Sequence, residues 1–346
     1  MASKIHKPAQ AHRRDVLKGA AVLGAAGVFS ISPLRGLRAQ ETHKFRMAHA
    51  EAIGSPMTEA FERWGEVLNE RSEGRIEAEH FPAGQLGNYT QLIEGSRLGT
   101  IQATAGGPDT EEAVAPEIAA AGGAPGFIYR DYDHVDAVLQ GELAEEISQI
   151  AREKTGVEFV AYGEVGFRHL LSKRPVTNLE ELSGLKIRVP ELRVWVDFWE
   201  MLGSNPTPLA YAEQYNALST GVIDALEADP FSIQGFKWHE QAPHLTMTYH
   251  WFLPKAVRVN AEWLDGLPED LQELVRSSAQ EVFAEQRQTN RDNVDQAFED
   301  LKADGLEVHE LTDADQWRAR TEPLFDQFAE KGPEVAEMID KIRSLA

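Results

Sequence analysis

The 346-residue sequence contains no cysteine. This absence excludes disulfide bonds, thiolate nucleophiles and cysteine-ligated zinc sites. The folded protein must therefore be held together by packing, for which 42% hydrophobic and 8% aromatic residues provide enough material. Because 346 residues exceed what one compact core usually holds, the length favours two lobes.

The sequence also lacks a long hydrophobic run. No segment offers about 18 consecutive apolar residues, so the mature protein has no candidate membrane span. Residues 13–18 read RRDVLK, and a short run rich in alanine and glycine follows at 19–29. A charged head, a modest apolar middle and a small-residue exit are typical of an export signal, and the paired arginines favour the twin-arginine route. We predict that residues 1–39 are a cleaved signal and that the mature protein is periplasmic; an uncleaved anchor is the alternative.

Basic residues are scarce. Residues 1–39 hold seven of the 34 basic and one of the 56 acidic residues, so removing them changes the net charge from −22 to −28. Such a surface repels nucleic acid and anionic lipid, and we expect neither as a partner. If the ligand is an anion, a few local arginines must overcome this unfavourable field.

Catalytic and cofactor motifs are missing as well. The sequence has no phosphate-binding glycine loop, no nucleophile elbow and no HExxH motif. Its eleven histidines are scattered without metal-ligand spacing. We therefore expect no enzyme activity, no cofactor and no metal.

Hydrophobic periodicity predicts alternating strands and helices. In the first lobe we predict strands over 45–50, 76–81 and 101–105 and helices over 57–71 and 88–98. In the second we predict strands over 159–164, 169–173, 185–189, 225–229, 246–252 and 256–260, with helices over 192–202 and 211–220. A helix over 268–303 is long enough, at about 50 Å, to lie across both lobes. A last helical stretch follows residue 313.

Two arginines suit the capture of a carboxylate, whose two oxygens match the guanidinium fork. In strand 185–189, Arg188 alternates with apolar residues and stands two residues before Pro190, which ends the strand. Ligands bind at the carboxyl ends of strands in open α/β sheets. Arg168 is the second candidate, two residues after Gly166. On spacing alone, an ordinary ion pair explains each arginine better.

Three motifs occur in order along the chain. Residues 81–87 read FPAGQLG, residues 178–190 read NLEELSGLKIRVP, and residues 215–225 read YNALSTGVIDA. Together they resemble the solute receptors of tripartite ATP-independent periplasmic (TRAP) transporters, the DctP family, over roughly residues 45–305.

The resemblance implies an α/β periplasmic binding protein fold with two lobes, strand exchange between them and a long helix spanning both. It implies a ligand enclosed by hinge closure and TRAP membrane permease subunits as partners. We place lobe I at 40–164 plus 253–290 and lobe II at 165–252 plus 291–346.

The resemblance also implies site residues. Arg188 would form the main salt bridge to the ligand carboxylate, with Arg168 as a second positive contact. Glu191 and Tyr211 match positions that touch the ligand, although packing is an equal alternative for Tyr211. We add four candidates at the strand ends of the first lobe: His49, Glu51, Gln85 and Asn88. For each of them, a surface or core role is the leading alternative.

One departure from the family pattern bears on the ligand. Where many members have an asparagine, this chain has Ala228 followed by Asp229. With Glu191, this acid suits hydroxyl groups and repels a second carboxylate. We therefore favour a hexuronate or related sugar acid. The alternatives are a receptor for a four-carbon dicarboxylate or keto acid, a sugar-acid lyase or isomerase using Glu191 and Asp229, and a sensory module.

Overall fold

The structure, a computed structural model, describes residues 41–345. The predicted export signal lies outside the described residues. One mixed sheet of nine strands runs through the described part of the chain. Its strands are β1 (His43–Ala48), β2 (Ile76–Phe81), β3 (Ala103–Gly106), β4 (Val157–Ser172), β5 (Lys186–Val189), β6 (Asn205–Pro208), β7 (Ala225–Ala228), β8 (His244–Asn260) and β9 (Glu307–Glu310).

Residues 41–345 also form 13 α-helices, and none of these is both long and apolar enough to cross a bilayer. They are α1 (Pro56–Arg71), α2 (Tyr89–Arg97), α3 (Pro116–Ala119), α4 (Tyr132–Leu139), α5 (Glu142–Thr155), α6 (Arg193–Met201), α7 (Gln214–Thr220), α8 (Pro230–Gly235), α9 (Ala261–Asp265), α10 (Glu269–Ala303), α11 (Ala314–Thr321), α12 (Pro323–Ala329) and α13 (Pro333–Ser344).

Two groups of parallel strands make up the outer parts of the sheet. The order is β2-β1-β3-β8-β4-β7-β5-β6, with β9 pairing β8. β1 is parallel to β2 and β3, and β5 is parallel to β6 and β7. The antiparallel strands β4 and β8 join the groups, because β8 pairs with β3 and β4 pairs with β7. Two α/β lobes therefore share two long strands, as the sequence predicts, while the residue bounds of the lobes stay a prediction.

The structure corrects two strand predictions. Residues 159–164 and 169–172 belong to the single 16-residue strand β4, which ends one residue before the predicted bound, and residues 246–252 and 256–260 belong to the 17-residue strand β8. The sequence places a break at Pro254, because proline cannot donate to a strand ladder. Pro254 instead lies opposite Glu164, where the register shifts. A bulge accepts proline, so the ladder continues through it.

The other predicted helices and strands agree within two residues of their observed bounds, apart from 211–220, which opens with a 3-10 turn at Tyr211–Glu213 before α7. Side-chain caps explain the sharp starts of α1 and α2. Ser55 caps α1 by accepting from the backbone N–H of Thr58, and Asn88 caps α2 in a capping box with Gln91.

The long helix α10 is confirmed and spans both lobes. Pro268 precedes its first residue, so the helix begins one position later than predicted. Trp64 of α1 donates from Nε1 to Ser278 Oγ at 3.0 Å. Further along, the Gln286 side chain accepts from the Glu164 N–H at 3.0 Å and donates to the Glu164 carbonyl at 2.9 Å. These contacts fix the helix to α1 and to β4.

Phe283 packs α10 against α1. Replacing it measures how much this contact stabilises the fold. The side chain is fully buried, with its ring centroid 5.1 Å from Phe61 and 5.8 Å from Trp64. We expect Phe283→Ala to lower the free energy of unfolding by about 3–5 kcal/mol, because it leaves a cavity. Urea denaturation measures this. The control Ile53→Ala, at a side chain 71% exposed, should change it by less than about 0.5 kcal/mol; equal effects would contradict the packing argument.

Candidate ligand-binding site

A cavity of about 550 Å³ lies between the strand ends of the two lobes. Its walls come from the residues after β1, from α2, from the ends of β5 and β7, from the start of α6, and from one stretch each of β4 and β8. The carboxyl ends of parallel strands are where open α/β sheets bind ligands. The volume falls in the range of roughly 300–1,000 Å³ that suits a small molecule.

Seven of the nine residues predicted from sequence line this cavity: Glu51, Asn88, Arg168, Arg188, Glu191, Tyr211 and Asp229. His49 and Gln85 do not. His49 is completely buried beneath the site, where its ring packs on Phe61 and its Nε2 lies 2.8 Å from His80 Nε2. Burial lowers the pKa of His49 to about 4, so the ring is neutral. Gln85 is exposed on its loop.

Arg188 is a buried cation without an acid partner. It stands on β5 between the buried residues Ile187 and Val189, and only 4% of it is exposed. Its Nε donates to the Leu209 carbonyl at 2.9 Å, which fixes the guanidinium plane. Neither terminal nitrogen has a hydrogen-bond or salt-bridge partner among residues 41–345. Burial lowers the pKa of Arg188 to about 10, so it stays charged at neutral pH and a carboxylate would stabilise it strongly.

Arg168 lies in the same cavity wall but is occupied by internal partners. From β4 it forms an ion pair with Glu227, donates to the Glu227 carbonyl at 2.7 Å, and donates to Asp229 Oδ2 at 3.3 Å. Burial opposes this charge, yet Glu227 and Asp229 outweigh it and raise the pKa of Arg168. Most of its donors are therefore used within the protein. Its main effect is to neutralise the two acids that stand closest to it.

Asp229 has a structural task at the start of α8. Its Oδ1 accepts from the Ser232 N–H at 2.9 Å, and its Oδ2 accepts from the Ser232 hydroxyl at 2.7 Å. Tyr211 Oη lies 3.0 Å from the same hydroxyl, and the Tyr211 ring centroid lies 5.7 Å from the Arg188 guanidinium. Both carboxylate oxygens of Asp229 are thus engaged. Tyr211 presents an aromatic face beside the unpaired arginine.

Two further predicted residues lie in more open positions. Asn88 is exposed, and its Oδ1 accepts from the Gln91 N–H at 3.0 Å as the cap of α2. Glu191 is exposed and has no hydrogen-bond partner among residues 41–345. Glu191 is therefore the freer of the two acids that the sequence assigns to the ligand.

Lys255 is a cavity residue that the sequence does not indicate. Its Nζ lies 2.5 Å from Glu51 Oε1 and 5.2 Å from the centre of the Tyr89 ring. Burial opposes the charge, but Glu51 outweighs it and raises the pKa of Lys255. Its position next to Pro254 suggests a break between strands, whereas the continuous strand β8 carries it into the cavity.

Three more lining residues, Asp109, Trp195 and Glu227, are not among those predicted from the sequence. Asp109, in the turn after β3, accepts from Trp195 Nε1 of α6 at 2.7 Å, so the two side chains connect opposite walls. The other oxygen of Asp109 has no partner in the described part of the protein. The sequence does contain one signal for Glu227, because an acid that alternates with buried neighbours on a short strand is unusual.

The protonation of Asp109 predicts a measurable pH effect. Burial raises its pKa from 3.8 to about 6, so the folded state holds this proton more tightly than the unfolded state. The stability gained from protonation is present below about pH 4 and is lost as the pH rises through about 6. We expect the wild-type melting temperature to fall relative to Asp109→Asn across this window, because the amide keeps an acceptor for Trp195 without the charge. Melting curves from about pH 4 to about pH 7 measure this, and parallel curves for the two proteins would contradict it.

Comparisons with known proteins agree with this architecture. The family model described as bacterial extracellular solute-binding protein, family 7 (DctP), matches residues 47–331. The 2,3-diketo-L-gulonate-binding periplasmic protein of Escherichia coli is 30% identical over 82% of this chain and 86% of that protein. A solute-binding protein of Roseobacter denitrificans is 37% identical over 188 residues, which cover 54% of this chain and 57% of that protein.

Solved structures extend the similarity to nearly the whole described chain. The structure of that Roseobacter denitrificans TRAP protein, with bound L-galactonate, has a TM-score of 0.82 and covers 88% of this chain and 100% of that one, at 28% identity. A TRAP periplasmic solute-binding protein from Xanthobacter autotrophicus, with bound β-D-galacturonate, has a TM-score of 0.83 and covers 87% and 100%, also at 28% identity. The chain belongs to the DctP family of TRAP solute-binding proteins.

Proposed function

We propose that this protein captures a hexuronate or a closely related sugar acid in the periplasm and delivers it to TRAP permease subunits. The observation that carries the proposal is Arg188, a buried and charged guanidinium in the cavity wall with both terminal nitrogens unpaired among residues 41–345. A ligand carboxylate would supply the bidentate partner that the protein itself does not. The extracellular family description and the periplasmic relative from Escherichia coli support the compartment.

The charge balance of the cavity favours a single carboxylate. Four cations line it, and three of them face acids: Arg97 faces Glu111, Arg168 faces Glu227, and Lys255 faces Glu51. Arg188 is the exception within residues 41–345. A second ligand carboxylate would meet no free cation and would approach Glu191 and Asp109 instead. A dicarboxylate is disfavoured for this reason.

The remaining polar groups suit hydroxyl groups. Glu191 and the free oxygen of Asp109 accept hydrogen bonds, and Lys255 can donate a proton that Glu51 does not use. Trp195 and Tyr211 add flat apolar faces of the kind that pack against a sugar ring. Acceptors, a donor and aromatic faces around one arginine fit a polyhydroxylated monocarboxylate. The uronate and aldonate bound to the two solved relatives have this chemistry.

Capture would proceed by closure of the two lobes. The cavity walls belong to both parallel strand groups, so a bound ligand contacts both and stabilises the closed arrangement. We propose that the closed surface is what the permease recognises. Turnover is disfavoured, because Asp229 uses both oxygens internally and is unsuited to act with Glu191 as a general acid and base. Mass spectrometry of a ligand incubated with the protein tests this point.

The ligand class is tested by a thermal-shift panel on the chain from residue 41 onward. The panel contains hexuronates, aldonates, dicarboxylates, keto acids, amino acids and neutral sugars. A ligand at 100 times its Kd adds about 2.7 kcal/mol to the free energy of unfolding, which raises the melting temperature by several degrees. We expect hexuronates or aldonates to give the largest shift. A larger shift with malate or succinate would overturn the ligand class and leave the family assignment unaffected.

The role of Arg188 is tested by two substitutions. Arg188→Lys keeps the charge but loses the fork, and Arg188→Gln loses both. We expect the affinity for the best sugar acid to fall at least about tenfold in the first variant and further in the second, because the carboxylate loses charge-assisted hydrogen bonds. Isothermal titration calorimetry measures the affinity.

A matched control is available on the adjacent helix. Arg193→Gln removes a positive charge of the same type from an exposed side chain that pairs with Asp197. Its sugar-acid affinity should stay at the wild-type value. Circular dichroism establishes that each variant is folded, and folded Arg188 variants that bind within tenfold of wild type would refute the salt bridge.

A further inference from the structure

Three metal-ligating side chains meet outside the cavity, where β9 joins the sheet. They are His244 at the start of β8 and Glu307 and His309 on β9. None of them lines the ligand-binding cavity. The two histidines are 65 residues apart in the chain, so no spacing motif in the sequence indicates the cluster.

The strand pairing explains why the three side chains converge. β8 and β9 are parallel, with His244 opposite Glu307 and Thr246 opposite His309. Residues two apart on a strand point to the same face, so Glu307 and His309 share one face. Paired residues on neighbouring strands also share a face, which adds His244 to it. The cluster is therefore fixed by backbone register rather than by flexible loops.

Two of the three separations between donor atoms match those around a tetrahedral ion. His244 Nδ1 lies 3.2 Å from His309 Nε2 and 3.4 Å from Glu307 Oε2, and one donor atom from each residue lies within 4.8 Å of the others. Two ligands of a tetrahedral zinc ion, each about 2.1 Å from the metal, lie about 3.4 Å apart. The two measured separations correspond to edges of such a tetrahedron.

Hydrogen bonds among the three side chains explain their close approach less fully than a bound cation does. A proton on His244 Nδ1 can be directed at only one of its two neighbours, the imidazole nitrogen of His309 or the carboxylate of Glu307. A divalent cation accepts a lone pair from all three groups at once. Both rings are partly buried, whereas the Glu307 side chain is 65% exposed, so the cluster is open to an ion from solvent.

We propose that His244, Glu307 and His309 form a zinc-binding site with a water molecule as fourth ligand. Two imidazoles and one carboxylate are a donor set that Zn²⁺ readily accepts. Within the described residues β9 pairs only with β8, so zinc would fasten the strand that connects α10 to α11 onto the edge of the sheet. The site would stabilise the second lobe independently of sugar-acid binding.

The test uses the untagged chain from residue 41 onward, treated with a chelator and titrated with zinc chloride in a calorimeter. We expect one equivalent of zinc to bind and to raise the melting temperature. His309→Ala and Glu307→Gln should each weaken zinc binding at least about tenfold, because each removes one ligand. The control is His43→Ala, which removes a partly buried strand histidine far along the sheet order from β9.

The coordination geometry gives a second readout. Cobalt(II) in place of zinc absorbs strongly in the visible range when it is tetrahedral and weakly when it is octahedral. We expect the strong spectrum in wild type and in His43→Ala, and its loss in His309→Ala. The proposal is overturned if wild type binds no zinc, if His309→Ala and Glu307→Gln bind it as wild type does, or if His43→Ala weakens it equally.

Discussion

The buried ion pair between Arg168 and Glu227 is the interaction on which the proposed ligand site depends. Glu227 is also the acid that most strongly favours the charge on Arg188, although the two form no salt bridge. Because Arg168 holds the Glu227 carboxylate, Arg188 has no internal acid among the described residues and is available to a ligand. A buried guanidinium without a partner costs free energy. This arrangement therefore favours the binding of a carboxylate that can enter the cavity.

The two long strands, β4 and β8, supply the rigid frame that keeps Arg168 paired and Arg188 unpaired. β4 carries Arg168 and β8 carries Lys255, while the short parallel strands carry Arg188 and Glu227 to the same edge. Register shifts in the β4–β8 ladder occur on both sides of Arg168, between Glu164 and Gly166 and between Arg168 and Leu170. Such bulges bend a strand and redirect its side chains. All four charges therefore sit on a single sheet, which holds their spacing more firmly than loops would.

Because the surface is strongly acidic, binding of an anion depends on the local geometry of the cavity. A net charge of −28 on residues 40–346 disfavours the approach of any anion. Solvent and salt screen that field beyond about 10 Å, whereas charges inside the cavity act at short range with little screening. The proposed specificity for a monocarboxylate then rests on the number of unpaired cations rather than on the total charge. The paired cations Lys255 and Arg168 contribute hydrogen-bond donors and shape.

The sequence by itself determined the parts of this protein that depend on neighbours along the chain. Strand alternation placed Arg188 two residues before Pro190 at a strand end, periodicity predicted α1, α2 and α10, and three ordered motifs indicated the family. Only the tertiary structure decided that Arg168 is occupied by Glu227, that Asp229 caps α8, and that Lys255 and Asp109 enter the cavity. It also decided that β4 is a single strand and that β8 continues through Pro254. The physical reason is that local pattern fixes which face a side chain occupies, whereas its charge partner is set by distances between residues far apart in sequence.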